Sequence, residues 1–126
     1  MKLGDLPMDV LDHLCKYADP ETTWIADQVA NINANTNGWM IGRNDNKRAF
    51  KKQDYVDIMD AMKKIPEIIT PGSQYKINSY GGKHVLEKHR KKYISNGCFI
   101  CAMILLGYKY KKPASLNMNF KAKYVK

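Results

Sequence analysis

The nine residues from Cys98 to Leu106, CFICAMILL, carry no charged or hydrogen-bonding polar side chain and constrain the fold more than any other stretch. Ser95 precedes them as a suitable helix N-cap, and Gly107 follows them as a residue suited to end a helix. A helix that is apolar on every side is normally buried, because the same surface in water would aggregate. The stretch therefore predicts a central core helix. Any exposure of it would favour an oligomer formed through this helix.

Further elements are predicted on both sides of the core helix. The residues from Tyr80 to about Lys91 predict a preceding helix, and YISNG predicts the turn between the two helices. Downstream, apolar and polar residues alternate from Leu116 to Tyr124 and also from Tyr108 to Lys111. A period of two is typical of half-buried strands, so these two segments, joined at KKPAS, predict a β-hairpin.

The order helix, turn, helix, hairpin is that of a winged helix-turn-helix, whose wing would carry Lys109, Lys111 and Lys112. A recognition helix must show polar groups to base edges in the major groove, and Cys98 to Leu106 offers none. We therefore predict one mainly α-helical domain with a small C-terminal β-hairpin, winged-helix-like in the order of its elements. That order describes a topology and does not by itself assign a function.

Three more helices are predicted upstream, each with a start or stop signal. They run from Asp5 to Tyr17, from Pro20 with Asp19 as its N-cap to the polar run NINANTNG, and from Gln53 to Ile65, where Pro66 stops the helix.

Two further segments are less regular. Residues 74–77 predict a short strand, and residues 39–50 fit either a small hairpin or a loop. The stretch LPMDVLDHLCKYADPET, residues 6–22, resembles the first half of an F-box, a helical adaptor segment that docks on a partner protein. The second half of that motif is absent.

Charge is divided unevenly along the chain. Residues 1–46 form an acidic segment with 3 basic and 7 acidic side chains, whereas residues 47–126 hold 18 basic and 5 acidic ones. With 126 residues there is room for one domain with one core. The basic body predicts a nucleic acid or an acidic protein as partner, and a solvated surface is the plain alternative.

Nine basic residues are candidates for sequence-independent phosphate contacts, because they cluster beside tyrosines at the predicted helix end and in the predicted hairpin. They are Lys88, Arg90, Lys91, Lys92, Lys109, Lys111, Lys112, Lys121 and Lys123. We expect them to form one basic face.

Metal binding is the sharpest chemical alternative, since His84, His89, Cys98 and Cys101 have spacings found in zinc sites. Two cysteines three residues apart on an apolar helix are more often ordinary core residues, so we predict no metal and no cofactor. No nucleophile lies beside a base and an oxyanion site in the sequence pattern, and we predict that the protein is not an enzyme.

The patterns SYxxKHxxE, YxSNGxFIxAMxxxGY and NxxF resemble a group of small proteins encoded by bacteriophages and large DNA viruses. The resemblance covers roughly the last third of the chain and rests on Ser79, Tyr80, Lys83, His84, Glu87, Tyr93, Ser95, Asn96, Gly97, Phe99, Ile100, Ala102, Met103, Gly107, Tyr108, Asn117 and Phe120. It implies a viral origin and brings no catalytic role with it.

Eight residues of these patterns are expected to be structural: Ser79, Lys83, His84, Glu87, Ser95, Asn96, Gly97 and Gly107. In particular, we expect His84 to hydrogen-bond the turn from Ser95 to Gly97.

Two functions follow as hypotheses. The first is a non-enzymatic, basic viral DNA-binding or RNA-binding protein that contacts phosphates. The alternative is a structural or adaptor protein of the virus particle, of minor capsid or scaffold type, that holds neighbouring viral proteins together. The sequence shows no apolar run of the length of a membrane span and no signal peptide, and its three cysteines favour a reducing compartment. We therefore expect the infected host cell, and the virion, as its locations.

Overall fold

The computed structural model describes residues 20–40, 49–111 and 116–125. These residues form four helices, which are α1 (Pro20–Val29), α2 (Lys52–Ile68), α3 (Ser79–Arg90) and α4 (Asn96–Leu105). The strands are β1 (Ala34–Asn35), β2 (Gly38–Trp39), β3 (Ile69–Pro71), β4 (Ile77–Asn78), β5 (Asn119–Phe120) and β6 (Ala122–Tyr124). The prediction of a single, mainly α-helical domain with a small C-terminal β part is confirmed.

Helix α4 is the core helix, as its composition predicts. Every residue from Asn96 to Met103 is buried, and Phe99, Ile100 and Met103 are fully enclosed, whereas the end of the stretch, through Leu106, is half-buried. The helix packs against α2, α3, β1 and β2. Burying an aliphatic or aromatic side chain contributes about 1.5–3 kcal/mol, so α4 is a main source of stability.

Helix α2 passes through Pro66, and the prediction that it stops at Ile65 is wrong by one turn. A proline removes its own N–H and its ring crowds the carbonyl four residues earlier, so it normally kinks or ends a helix. The next turn closes, because the Ile69 N–H donates to the Ile65 carbonyl. Ile65 and Ile69 are both buried, and their packing keeps the last turn helical.

Each of the two C-terminal strands pairs with one strand from an earlier part of the chain. Strand β6 pairs antiparallel with β3, and β5 pairs antiparallel with β4. The predicted hairpin contributes a further bridge, in which Tyr110 lies opposite Phe120 and the Lys121 N–H donates to the Lys109 carbonyl at 2.8 Å. Residues 112–115 lie outside the described residues.

The predicted strand at residues 74–77 lies slightly later in the chain, as β4. Tyr75 makes a separate parallel bridge to Ala122. The described strands form three two-stranded sheets and do not form the continuous three-stranded sheet of a winged helix. The winged-helix order therefore stays a prediction.

The polar run after α1 contains a hairpin that the sequence analysis missed. Strands β1 and β2 pair antiparallel and are joined by a short turn. In this turn Asn35 Oδ1 accepts from the Asn37 N–H at 2.9 Å. Gly38 has φ +136°, and a Cβ there would lie 2.4 Å from the Leu116 carbonyl oxygen and 2.6 Å from Asn96 Nδ2. Only glycine fits this position, which seats the hairpin against the N-terminus of α4.

Several predictions fall on residues that the structure does not describe. They are the helix from Asp5 to Tyr17, the Asp19 N-cap, most of the F-box-like stretch and most of residues 39–50. The described part of the acidic segment packs onto the basic part through α1 and α2. Within residues 20–40, 49–111 and 116–125, none of the helices has the length and apolarity needed to cross a membrane.

Candidate nucleic-acid interface

Positive charge is concentrated in a part of the chain that has no carboxylate side chain. The 39 residues after Glu87 contain ten lysines and arginines and no Asp or Glu. Of the nine candidate phosphate contacts, Lys112 lies outside the described residues and Lys121 is half-buried. Six are exposed: Lys88, Lys91, Lys92, Lys109, Lys111 and Lys123.

Arg90 is the exception, and its assignment as a phosphate contact is corrected by the structure. Its side chain is 2% exposed, and its Nε donates to Asp60 Oδ2 at 2.8 Å. One Nη donates to Asp57 Oδ1 at 3.1 Å and the other to the Tyr93 carbonyl at 2.9 Å. Three of the five N–H groups of the guanidinium are bonded to protein and the side chain is enclosed, so Arg90 ties α3 to α2 and is not open to a phosphate.

The remaining lysines come together in two groups. The first group, Lys88, Lys91 and Lys92, surrounds an open concavity of about 660 Å³ at the C-terminal end of α3, which Glu87 and Tyr93 also line. This concavity is not free of negative charge. Glu87 lies in its wall, and Lys92 Nζ is 3.8 Å from Asp57 Oδ1.

The second group lies on the β side of the domain. Lys109 and Lys121 line a cleft of about 380 Å³ together with the end of α2 and Tyr108. Lys111 Nζ stands 4.8 Å from the centroid of the Tyr75 ring. Lys123 extends the group along β6. Both groups thus place exposed tyrosine rings beside ammonium groups, an arrangement typical of nucleic-acid surfaces.

The turn between α3 and α4 is held by two charged residues of α3. Lys83 is buried, and its Nζ donates to the Ile94 carbonyl at 3.2 Å. Glu87 Oε2 accepts from the Ile94 N–H at 3.2 Å, and Lys83 Nζ lies 3.6 Å from the same oxygen. His84 was expected to bond this turn, but its Nδ1 lies 2.7 Å from Glu87 Oε1 instead. The structural roles expected of Lys83 and Glu87 fit these contacts.

Two serines and two glycines of the motif also have visible structural roles. Ser95 Oγ accepts from the Cys98 N–H at 3.1 Å and caps α4, while Ser79 Oγ accepts from the Met118 N–H at 2.9 Å. Gly107 follows the end of α4 with φ +91°. A Cβ on Gly97 would lie 1.6 Å from a backbone carbonyl oxygen of β1, so the hairpin can approach α4 only over a glycine.

A second concavity adjoins the first lysine group and was missed by the sequence analysis. We call it the Asn96 pocket, and its volume is about 380 Å³. It is lined by Thr36, Asn37, Tyr80, Lys83, Tyr93, Asn96, Leu116 and Asn117. Tyr93 borders both this pocket and the lysine concavity. The sequence patterns contain five of these lining residues: Tyr80, Lys83, Tyr93, Asn96 and Asn117. This shared membership was the signal for the pocket that the sequence offered.

Asn96 is the most unusual group in this pocket. Its Nδ2 lies within hydrogen-bond distance of the Asn37 carbonyl (3.2 Å), the Leu116 carbonyl (3.3 Å) and Asn117 Oδ1 (3.0 Å). Three acceptors around one atom fix it as the nitrogen and fix the orientation of the amide. Its Oδ1 is buried and has no hydrogen-bond partner among the described residues.

The four residues of the zinc alternative do not form a metal site in the described structure. Cys98 and Cys101 are fully buried, and burial raises the pKa of both thiols well above the usual range, which disfavours the thiolate that a metal needs. His84 contacts Glu87, and His89 Nε2 lies 3.3 Å from Glu67 Oε1. The described residues contain no cluster of three or more His, Cys, Asp or Glu side chains placed to hold a metal ion.

Comparison with known proteins identifies no relative of the chain. No protein-family model matches it, and no curated protein or solved structure is significantly similar to it. The resemblances to small viral proteins and to an F-box therefore stay predictions. Function is inferred from the exposed side chains and the pockets they line.

Proposed function

We propose that this protein is a non-enzymatic viral protein that binds nucleic acid through sequence-independent contacts between lysines and phosphates. The observation that carries the proposal is the carboxylate-free stretch after Glu87, whose described lysines, apart from Lys121, are exposed. A nearby carboxylate would repel a phosphate and compete for the ammonium group. Among the described residues, Lys92 is the only one of these exposed lysines with a carboxylate oxygen within 4.0 Å, so the others keep their charge available for counterion exchange with a polyanion.

The same residues account for the expected lack of base preference. Lysine ammonium groups recognise phosphates as point charges, without the geometry that reads a base edge. Helix α4, the candidate recognition helix by topology, is buried and offers no polar side chain to a groove. We expect specificity to come from the form of the nucleic acid and not from its sequence.

The test is the salt dependence of binding to random-sequence duplex DNA, measured by fluorescence anisotropy. Each phosphate contact removed should flatten the log-log slope of affinity against salt by about 0.9. Two double variants remove two charges each. Lys88→Ala with Lys91→Gly changes the first lysine group, and Lys109→Ala with Lys111→Ala changes the second. Glycine is chosen at Lys91 because that residue has φ +58°.

A matched control removes the same charge elsewhere. Lys52 and Lys63 are exposed on α2, so Lys52→Ala with Lys63→Ala lowers the net charge equally and leaves both lysine groups intact. We expect the control to keep the parent slope. An equal loss of affinity and slope in all three variants would mean that binding depends on net charge alone and not on the two lysine groups. A parent protein without affinity at moderate salt would refute the proposal.

A second candidate function, an adaptor within a virus particle, is favoured by one observation. A groove of about 420 Å³ between α1 and α2 is lined by Trp24, Ile25, Met59 and Met62, and Trp24 is 54% exposed. Exposed aromatic and methionine side chains mark protein contacts. This function predicts that the protein copurifies with capsid proteins from nuclease-treated particles, and that Trp24→Ala abolishes the copurification.

A further inference from the structure

The Asn96 pocket combines two exposed aromatic rings with polar groups that are buried. Tyr80 and Tyr93 are 54% and 68% exposed, an unusual state for large rings that stand beside a pocket. Lys83 Nζ lies 4.7 Å from the Tyr93 centroid and 5.8 Å from the Tyr80 centroid, so one buried ammonium group is close to both rings. The lining of the pocket therefore combines two exposed rings with a buried ammonium group.

The amide of Asn96 is held by protein contacts and does not itself offer a group to a ligand. Its Nδ2 lies within hydrogen-bond distance of two carbonyls and of Asn117 Oδ1. Its Oδ1 is enclosed by protein, so a ligand in the pocket does not reach it. The rings of Tyr80 and Tyr93 are therefore the groups that the pocket presents to a ligand.

We infer that the Asn96 pocket binds an unpaired nucleobase, which stacks on Tyr93 or Tyr80. This inference rests on the proposed function and deepens it, because it names single strands as the preferred substrate. A base within a duplex has both faces stacked on its neighbours, so it cannot enter such a pocket. Every unpaired base has a flat face that can stack on a tyrosine.

The position of the lysines agrees with this assignment. Tyr93 belongs to the walls of both the Asn96 pocket and the concavity of Lys88, Lys91 and Lys92. A base held at Tyr93 therefore brings its flanking phosphates to the first lysine group. The pocket volume of about 380 Å³ is within the range of small-ligand sites.

The first experiment compares oligothymidylate with a random-sequence duplex of equal length at one salt concentration. The parent protein should bind the single strand more tightly. Tyr93→Leu should weaken single-strand binding about 5- to 150-fold, the value of one stacked base, and should weaken duplex binding much less, because the lysines that contact phosphates remain. Tyr93→Phe should keep single-strand affinity, because the ring remains. Trp24→Leu, which removes an exposed ring on α1, is the control and should change neither.

The second experiment changes the ligand. Thymidine monophosphate is titrated into the parent protein and into Tyr93→Leu, with tyrosine fluorescence as readout. The titration shows whether a free nucleotide also fills the pocket.

The outcomes separate the two proposals. Equal binding of single strand and duplex, unaffected by Tyr93→Leu, would overturn the base pocket and leave the phosphate contacts standing. Binding of the mononucleotide alone, with the same dependence on Tyr93, would assign the pocket to a free nucleotide and overturn the strand-binding function. If no nucleic acid and no nucleotide binds, both proposals are wrong.

Discussion

Arg90→Met should lower the free energy of unfolding by about 3 kcal/mol, although Arg90 lies in a run of basic residues that the sequence suggests is solvated. Methionine keeps most of the apolar stem of the 2% exposed side chain and removes the guanidinium. The loss leaves the buried Asp57 without its arginine, and breaking a buried ion pair on one side costs about 3–5 kcal/mol. We expect the lower end because Asp60, the other acceptor, is 34% exposed and can be hydrated.

Two neighbours also soften the loss at Asp57. Gln53 Nε2 donates to Asp57 Oδ1 at 3.2 Å, and Lys92 Nζ is 3.8 Å from the same atom. Urea denaturation followed by circular dichroism measures the effect. With an m value of about 1–3 kcal/mol/M, the midpoint should fall by about 1–3 M. Arg90→Met combined with Asp57→Asn should recover part of the stability, because the buried carboxylate that lost its arginine is then also removed.

Lys88→Met is the control, since an exposed lysine on the same helix should change stability by less than about 0.5 kcal/mol. The reasoning is refuted if Arg90→Met costs less than about 1 kcal/mol and lowers nucleic-acid affinity as Lys88→Met does. That result would place the guanidinium at the surface.

Three further predictions concern the backbone and the thiols. Gly97→Ala should destabilise the domain by about 3 kcal/mol in thermal unfolding, because its Cβ would meet a backbone oxygen of β1 at 1.6 Å. Its control, Gly81→Ala, has open space around the new Cβ and should stabilise α3 by about 0.5–1 kcal/mol. Lys91→Gly should raise stability by about 1 kcal/mol, since it relieves the left-handed φ of +58° at the end of α3. Burial raises the pKa of the Cys98 and Cys101 thiols, so above the ordinary thiol pKa of about 8.5 only the unfolded chain loses these protons and stability should fall with rising pH. Urea titrations at several pH values check this slope, which should be shallower in Cys98→Ala with Cys101→Ala.

The parts of the fold that the sequence predicts are those set by local chemistry. The apolar run from Cys98 to Leu106 requires burial wherever the helix is placed, and Ser95 caps it through a side chain three residues from its partner. Apolar and polar residues alternate after Leu116, and this pattern indicates strands because it also depends only on nearby residues. These signals need no knowledge of the rest of the chain.

The remaining features depend on partners that are distant in sequence. Arg90 and Lys91 are both basic residues at the end of a helix, but Arg90 is enclosed because its carboxylate partners, which lie 30 and 33 residues earlier, pack against it. Pro66 ends a helix in an isolated peptide, but buried neighbours keep α2 intact through it. The Asn96 pocket draws its walls from three separated parts of the chain. No periodicity or spacing rule brings such parts together, because tertiary packing decides which segments meet.

The pairing of β3 with β6 has a consequence for the order in which the protein can fold during synthesis. Ile69 lies opposite Tyr124, and Met118, Phe120 and Ala122 are all completely enclosed. Helices α2 to α4 therefore leave the ribosome before the strands that cover them exist. Because such distant contacts form slowly, a nascent chain halted at Gly107 should remain sensitive to protease and dependent on chaperones, and resistance should appear only once residue 124 has emerged.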